Sequence, residues 1–304
     1  MVLVNGVKFN DAEFHNGEVI FEKPESVSLT RNIIQVFFQD NRDITALMFA
    51  KQYLDAVCLG VPCDLEMKYC PYERMDREIN NQMFSMKYFA EIISKFNFDT
   101  VYILDPHSEV CLEQFEKAGV NVQVLDLERY VNKVIENFKP DYICYPDKGA
   151  RTKYSKVLRD IKIPYFYGSK KRDLANQGRI MEYELVDAPD LKDKKVLIID
   201  DICCLGGTAY NAAVEMKKLG AKEVAFYISH CEDGIFVGKI LKPETLYEHR
   251  EVTGDTYNMQ GEKTGEQRTI ELSIPVSSEY IIDKVYTANT MLLSKTHDNI
   301  IIVN

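Results

Sequence analysis

Short apolar runs alternate along this chain with longer segments whose apolar residues recur every three or four positions. A run such as 196–199 is typical of a strand buried on both faces of a parallel sheet. A segment such as 43–57 predicts an amphipathic helix, with Asp43 near its N-terminus. The alternation restarts in the second half of the chain. We therefore predict an α/β protein with two units, 1–139 and 140–304, each a mainly parallel sheet flanked by helices.

Weaker patterns give four further expectations. Residues 81–96 are predicted to form one helix, and another helix should end at about residue 161. Residues 164–167 are predicted to form a strand, which the charged stretch 168–180 (GSKKRDLANQGRI) follows. Residues 243–278 are polar and rich in turn residues and contain the alternating RTIELSI, which indicates a β-hairpin excursion.

The most informative stretch is KVLIIDDICCLGGTAYNAAVEMKKL, residues 195–219. A buried strand ends there in the adjacent acids Asp200 and Asp201, and a loop of small residues leads to a helix over 209–219. Backbone N–H groups and the helix dipole at such a junction bind anions. Two carboxylates at the end of the strand can hold sugar hydroxyls or a magnesium ion.

Acidic residues also follow three other predicted strands, at Asp105 with His107, at Asp147, and at Glu232 with Asp233. Ligands of open parallel sheets bind beyond the carboxyl ends of the strands. The repetition therefore predicts one site for a polyphosphate, a metal and a sugar.

Composition narrows the class of protein. The 304 residues allow two domains of ordinary size, and the net charge of −10 without any Lys/Arg block argues against nucleic acid or an anionic membrane as partner. We find no bilayer-length apolar run and no signal-peptide pattern, so we expect a cytoplasmic protein. Eight cysteines occur without a CxxC pair, which predicts mostly reduced core thiols and argues against zinc.

The ordered motifs resemble a known family. VLIIDDICCLGGT resembles the phosphoribosyl-diphosphate loop of type I phosphoribosyltransferases. EFHNGEV, CPYERMDRE, LDPHSEV, YPDKGAR, SKKR and SHCEDGIF follow the order and spacing of the ribose-phosphate pyrophosphokinases. The resemblance covers most of the chain, and 243–278 looks like added material.

The resemblance implies two tandem type I phosphoribosyltransferase-like domains, with ATP held mainly by 1–139 and the acceptor ribose by 140–304. It implies Mg²⁺-dependent transfer of the β,γ-diphosphate of ATP to the anomeric hydroxyl of a phosphorylated ribose, releasing AMP. The family forms dimers assembled into rings, so a homo-oligomer is expected.

The resemblance also implies roles for individual residues. The catalytic group comprises His107, Lys170 and Arg172, the last two on a mobile loop. ATP-binding residues are Phe14, Asn16, Glu18, Arg74, Arg77 and His107, of which the first three line an adenine pocket supplied by a neighbouring subunit. Metal contacts are Asp105, His107 and Asp147. Acceptor contacts are Asp200, Asp201, Cys204, Leu205, Gly206, Gly207 and Thr208.

Two departures from the family pattern concern the phosphate loop. The family's Asp-Thr-Gly-Gly-Thr is here Cys204-Leu205-Gly-Gly-Thr. Losing a hydroxyl donor weakens selection for a terminal phosphate by about 1.5–3 kcal/mol. Leu205 adds an apolar surface for a larger 5′ substituent. The acceptor is therefore either ribose 5-phosphate, giving phosphoribosyl diphosphate, or ADP-ribose, giving ADP-ribose pyrophosphate for NAD synthesis.

Plainer interpretations remain open. Arg74 and Arg77 can be surface arginines, His107 a hydrogen-bonded core histidine and 170–172 a solvated turn. The chain as a whole can be a non-catalytic regulatory relative of the synthetases, or a phosphoribosyltransferase that consumes an activated ribose. Formation of AMP from ATP distinguishes these classes.

Overall fold

The structure is a computed structural model that describes residues 1–173, 179–257, 263–288 and 297–303. The first half contains β1 Val2–Val4, β2 Val7–Lys8, β3 Asp11–Glu13, β4 Val19–Phe21, β5 Asn32–Val36, α1 Asn41–Val57, β6 Cys63–Met67, α2 Ser85–Ser94, β7 Val101–Leu104, α3 Glu109–Lys117 and β8 Val122–Leu125. The second half contains α4 Glu128–Phe138, β9 Tyr142–Tyr145, α5 Lys148–Val157, β10 Tyr165–Asp173, β11 Arg179–Val186, β12 Lys195–Cys203, α6 Gly207–Lys218, β13 Glu223–Cys231, β14 Glu244–Tyr257, β15 Lys263–Glu279, β16 Lys284–Thr287 and β17 Ile300–Ile302.

The first sheet has the strand order β2-β1-β5-β6-β7-β8. Strands β5 to β8 run parallel, whereas β1 pairs antiparallel with both β5 and β2. Apolar faces of α1, α2 and α3 pack with these strands in one core, which includes Leu47, Leu65 and Phe115. The alternation that predicted amphipathic helices over parallel strands is confirmed here.

The second sheet has the order β11-β10-β9-β12-β13-β16-β17 and is parallel except for β11. Residues 196–199 of β12 are fully buried, as their apolar run predicts. Helix α6 packs on one face of this sheet through Ala212, Ala213 and Met216. Helix α4 packs on the other face.

The two sheets meet near the end of β7. Leu104, the last residue of β7, packs in the core of the second sheet together with Phe138 of α4. The division at 139/140 stays a prediction. The two sheets lie on either side of it, and α4 packs on the second sheet although it precedes residue 139.

Some predicted boundaries were wrong. Helix α2 begins at Ser85 rather than 81, and α5 ends at Val157 rather than 161. Helix α1 begins at Asn41 rather than 43, with Asp40 as its N-cap accepting from the Arg42 N–H, and Asp43 lies near the N-terminus as predicted, in the first turn. Strand β12 continues past its two acids to residue 203, because β13 runs beside it and supplies the ladder that far.

The resemblance places Lys170 and Arg172 on a mobile loop, whereas the structure places both positions in strand β10. β10 and β11 form an antiparallel pair, with Lys170 opposite Tyr183. Tyr183 packs against the core and its hydroxyl donates to the Pro146 carbonyl at 2.9 Å. This anchoring explains why the charged segment extends the sheet, while residues 174–178 lie outside the described ranges.

The hairpin predicted for 243–278 is confirmed as the antiparallel pair β14–β15, which forms a separate two-stranded sheet. Within the described ranges, no helix is both long enough and apolar enough to cross a bilayer.

Candidate active site

A cleft of about 1180 Å³ opens where the carboxyl ends of strands from both sheets meet. From the first sheet, the residues that follow strand β7 line the cleft. From the second sheet, residues in or just after β9, β10 and β12 line it. The predicted site residues that line it are Arg74, Asp105, His107, Asp147, Lys170, Asp200, Asp201, Cys204, Leu205, Gly206, Gly207 and Thr208. The structure therefore brings most of the predicted residues together, in the place that parallel sheets use for ligands.

Asp105 joins the two halves of the chain. It is 2% exposed and has a positive φ of 47°, a conformation that is uncommon outside glycine. One carboxylate oxygen lies 2.6 Å from Lys153 Nζ, and the other accepts from the hydroxyls of Tyr154 and Ser229. A side chain so engaged is held by its neighbours, so these contacts favour a positioning role for its carboxylate.

His107 stands beside the acid pair of β12. Its Nδ1 lies 2.7 Å from Asp201 Oδ2, and this hydrogen bond raises the pKa of the imidazole above its usual range. Its backbone N–H donates to Glu73 Oε2 at 3.1 Å. The Asp201 contact favours the charged form of the ring, and an imidazolium is suited to meet an anionic phosphate.

Asp200 and Asp201 lie in different environments despite their adjacency. Burial raises the pKa of Asp200 well above its usual range, and the charges of Asp201 and Asp147 add to that rise. Burial opposes ionisation of Asp201 too, but the His107 hydrogen bond and the Lys153 ammonium outweigh it, so the pKa of Asp201 is lowered. Without a bound ligand, Asp201 is therefore the ionised member of the pair.

Lys153 was missed by sequence reasoning. It lies on α5 between two buried carboxylates, 2.6 Å from Asp105 Oδ1 and 3.5 Å from Asp201 Oδ2. Burial lowers the pKa of Lys153, but the charges of Asp105 and Asp201 outweigh burial. The net effect is a raised pKa, so the ammonium stays charged. The only signal in the sequence was its position near Ala150 and Tyr154 on the inner face of α5.

Asp147 caps α5, its carboxylate accepting from the Ala150 N–H at 2.9 Å. The other carboxylate oxygen forms an ion pair with Lys170 of β10. Burial alone raises the pKa of Asp147, but the Lys170 and backbone hydrogen bonds outweigh it, and the pKa is lowered. The ion pair holds a carboxylate and an ammonium group side by side in the lining of the cleft.

The phosphate loop has its shape fixed by glycines. Gly206, the N-cap of α6, has a φ of +73°, and an added Cβ would lie 2.1 Å from Ile240 Cδ1. An added Cβ on Gly207 would meet nothing within 4 Å, so that backbone faces open space. The first N–H groups of a helix have no partner within the helix, which suits the start of α6 to an anion, and this role stays a prediction.

The two unusual residues of the loop are supported from behind. A Cβ on Gly234 would lie 2.6 Å from the Cys204 carbonyl oxygen, and one on Gly238 would lie 2.2 Å from that of Leu205. The backbone of the loop thus packs directly on the turn after β13. The Leu205 side chain is left 56% exposed at the cleft.

The two arginines of the predicted ATP motif differ in position, since Arg74 lines the cleft and Arg77 does not. Arg74 pairs with Glu232 of the second half at 2.9 Å, whereas Arg77 is exposed and only loosely paired with Asp76 at 3.9 Å. If the two were ordinary surface arginines, they would be expected to pair with the adjacent Glu73 or Glu78, and neither does. The Arg172 side chain lies outside the described residues.

The predicted adenine-pocket residues lie in the turn between β3 and β4. Phe14 is 54% exposed, and Asn16 and Glu18 hydrogen-bond to each other at 2.7 Å. None of the three is among the residues that line the cleft. Within one chain, the structure therefore does not bring this turn to the site.

The donor atoms of the cleft suit Mg²⁺, which binds oxygen ligands and uses only one or two carboxylates besides waters and substrate phosphates. Carboxylates of Asp147, Asp200 and Asp201 line the cleft. The metal roles of Asp105, His107 and Asp147 stay predictions. The buried contacts of Asp105 make it the least available of the three.

Comparison with known proteins agrees with this geometry. A family profile described as "Phosphoribosyl transferase domain" matches residues 123–255. A ribose-phosphate pyrophosphokinase of Saccharolobus solfataricus is 29% identical over 232 residues, covering 74% of this chain and 76% of that protein. One of Pyrococcus abyssi is 28% identical over 169 residues, covering 55% of this chain and just over half, 56%, of that protein.

The fold has a solved counterpart. The crystal structure of phosphoribosylpyrophosphate synthetase from Mycobacterium smegmatis matches with a TM-score of 0.65 at 16% identity, over 97% of this chain and 85% of that one. This likeness confirms the predicted fold class of two tandem phosphoribosyltransferase-like domains. The profile and the relatives agree with the ordered motifs, and together they show that this chain is similar to the ribose-phosphate pyrophosphokinases, which are transferases, as a divergent relative.

Proposed function

We propose that this chain transfers the β,γ-diphosphate of ATP to the anomeric hydroxyl of a ribose carrying a 5-phosphoryl group, and releases AMP. Residues 1–139 would hold ATP, and 140–304 would hold the acceptor. The observation that supports this most directly is the His107–Asp201 contact of 2.7 Å, which joins an ATP-side motif to the acceptor-side acid pair in one cleft.

The proposed chemistry needs positioning and charge more than covalent participation by the protein. The anomeric oxygen attacks the β-phosphorus, and the bond from that phosphorus to the oxygen bridging it to the α-phosphorus breaks. Mg²⁺, when bound with ATP, neutralises the triphosphate. His107, Lys170 and Arg74 would place positive charge around the transferring group, and Arg172 would add to it by family resemblance.

The acceptor end is assigned to the phosphate loop. N–H groups at the start of α6, with Thr208, would bind the 5-phosphoryl group. The ionised carboxylate of Asp201 is partly occupied by His107 and Lys153, so Asp200 is the freer acid for the ribose hydroxyls. Its raised pKa reflects burial first and the neighbouring charges of Asp201 and Asp147 second, and hydroxyl donors would stabilise its ionised form.

We further propose that the preferred acceptor is ADP-ribose, giving ADP-ribose pyrophosphate, a step of NAD synthesis. The supporting observation is the exposed Leu205 at the cleft, beside exposed Cys204, where the family has a threonine and an acid. An apolar surface suits a 5′ substituent that continues beyond its first phosphate. The missing hydroxyl donor weakens capture of a terminal dianion by about 1.5–3 kcal/mol, or roughly 10- to 100-fold.

A homo-oligomer is part of the proposal. The exposed Phe14 turn lies apart from the cleft in one chain, so a neighbouring subunit would supply it to complete an adenine pocket. An aromatic face exposed to this extent can stack on a base.

The test is AMP formation from ATP and Mg²⁺ with ribose 5-phosphate, with ADP-ribose, and without acceptor. Higher kcat/KM for ADP-ribose supports both proposals, and turnover of ribose 5-phosphate alone contradicts the extended acceptor. The matched variant C204D/L205T restores the family loop and should shift preference toward ribose 5-phosphate. If no AMP forms with either acceptor, the regulatory alternative is favoured. Consumption of phosphoribosyl diphosphate with a nucleobase would favour a phosphoribosyltransferase.

A further inference from the structure

A second group of donor atoms lies outside the residues that line the cleft. It consists of Cys70 after β6, Glu73 in the following turn, and Cys111 in α3. One donor atom from each residue lies within 4.8 Å of the other two, and all three residues are at most 1% exposed. The proposed reaction uses none of them directly.

The sulfur atoms are spaced as a shared metal would require. Cys70 Sγ and Cys111 Sγ lie 3.6 Å apart. Two thiolates bound 2.3 Å from a tetrahedral zinc ion would be about 3.8 Å apart. The Met86 thioether, with Sδ 4.0 Å from Cys70 Sγ, is the nearest further sulfur donor.

Glu73 supplies an independent indication of a ligand. Its Oε2 accepts from the His107 N–H, but its buried Oε1 has no hydrogen-bond partner among the described residues. Buried carboxylate oxygens are almost always partnered. A cation held between this oxygen and the two sulfurs would satisfy it.

The donor set selects the cation. Two thiolates and one carboxylate favour a borderline-soft ion of the zinc class over Mg²⁺ or Ca²⁺, which prefer oxygen ligands alone. A disulfide between Cys70 and Cys111 is the competing chemistry for two close thiols. It would leave Glu73 Oε1 buried without a partner, so the metal explains one more observation.

We propose that Cys70, Glu73 and Cys111 form a zinc-class metal site. Binding displaces the two thiol protons and the carboxyl proton, if present, to solvent. The ion would tie the segment after β6 to α3. Through Glu73, whose other oxygen holds the His107 N–H, it would also fix the backbone of a proposed active-site residue. The expectation that the cysteine spacing argues against zinc overlooked this set, because the second sulfur lies 41 residues away and the third donor is a carboxylate.

The test uses Co²⁺ as a spectroscopic probe of the full-length protein, stripped of metal and kept reduced. We expect one equivalent of Co²⁺ to produce a sulfur-to-cobalt charge-transfer band and the intense visible bands of a tetrahedral ion, and Zn²⁺ to displace both. A Cys204→Ser variant removes the exposed thiol of the cleft and should keep the sulfur band, so binding at the two sites is distinguishable.

Variants locate the site. Cys70→Ser and Cys111→Ser should abolish the sulfur band, and Glu73→Gln should weaken Co²⁺ binding by at least about tenfold. Cys58→Ser, a buried cysteine of the same half outside the cluster, should bind as the wild type does.

Several results would overturn the proposal. Absence of the sulfur band from reduced wild-type protein would do so, as would its persistence in the Cys70→Ser/Cys111→Ser double variant. Should the cysteine variants fail to fold, Glu73→Gln decides, because it keeps both sulfurs and the side-chain shape. Unchanged cobalt affinity in that variant, with native circular dichroism, contradicts the site.

Discussion

Replacing Lys153 by methionine should destabilise the protein sharply, because the substitution removes one positive charge from between two buried acids. The ammonium lies 2.6 Å from Asp105 Oδ1 and 3.5 Å from Asp201 Oδ2. Methionine has nearly the same length and shape and carries no charge. The packing of the side chain is therefore largely kept, and the change reports mainly on the ion pairs.

The expected loss in the free energy of unfolding depends on which partners Asp105 and Asp201 keep once the ammonium is gone. Removing one partner of a buried ion pair costs about 3–5 kcal/mol, because the other charge stays buried without compensation. Asp105 keeps the Tyr154 and Ser229 hydroxyls, and Asp201 keeps His107. These contacts place the expected loss near the lower end, at about 3 kcal/mol, which corresponds to a fall in Tm of roughly 6–12 °C.

The assay is thermal unfolding of wild type, Lys153→Met and Lys156→Met without ligands. Lys156 is the matched control, because it lies on the same helix and pairs with Glu109 at 3.2 Å, but both side chains are largely exposed. Such surface pairs contribute about 0–1 kcal/mol, so the control should lose at most about 4 °C. Adding Asp105→Asn to Lys153→Met should recover part of the loss, because asparagine leaves no buried charge unpaired.

Equal Tm values for Lys153→Met and Lys156→Met would refute the reasoning. So would a double variant that is less stable by the full sum of its two single losses, since additivity means that the two side chains do not interact.

Three further predictions test other parts of the site. Lys170→Ala should lower kcat by about 10²–10³-fold while changing the Kd for ATP far less, and equal losses in both would contradict a role in the transition state. Gly206→Ala should destabilise the protein by about 2 kcal/mol or more, because Gly206 has a positive φ and an added Cβ would meet Ile240. Gly207→Ala is the control and should leave Tm nearly unchanged. Similar Tm values for the two variants would count against the loop geometry. The raised pKa of His107 means that the pair's contribution to stability is complete below the ordinary histidine value of about 6.5 and is lost as pH rises through the raised value. NMR titration without divalent ions should place the His107 midpoint above 6.5 and lower it in Asp201→Asn, and an unchanged midpoint in that variant would contradict the pairing.

Much of the fold was predictable because its determinants are local. The fully apolar run 196–199 could be buried only between two layers, and β12 occupies the middle of the second sheet. The loop that the resemblance implies for Lys170 and Arg172 is a strand instead, and no local signal in 170–172 indicates this. Tyr183, outside that window, anchors β11 and so extends the strand pairing.

The sequence by itself determined two α/β units, acids at the ends of successive strands and a glycine-bounded anion loop, since periodicity and local motifs encode these directly. Tertiary structure decided which of those residues meet. His107 and Asp201 are 94 positions apart, and Lys153 and Asp105 are 48 apart, so their contacts depend on how one sheet docks against the other. It also gave each acid its environment, because burial and neighbouring charge set a pKa and neither can be read from the residue type.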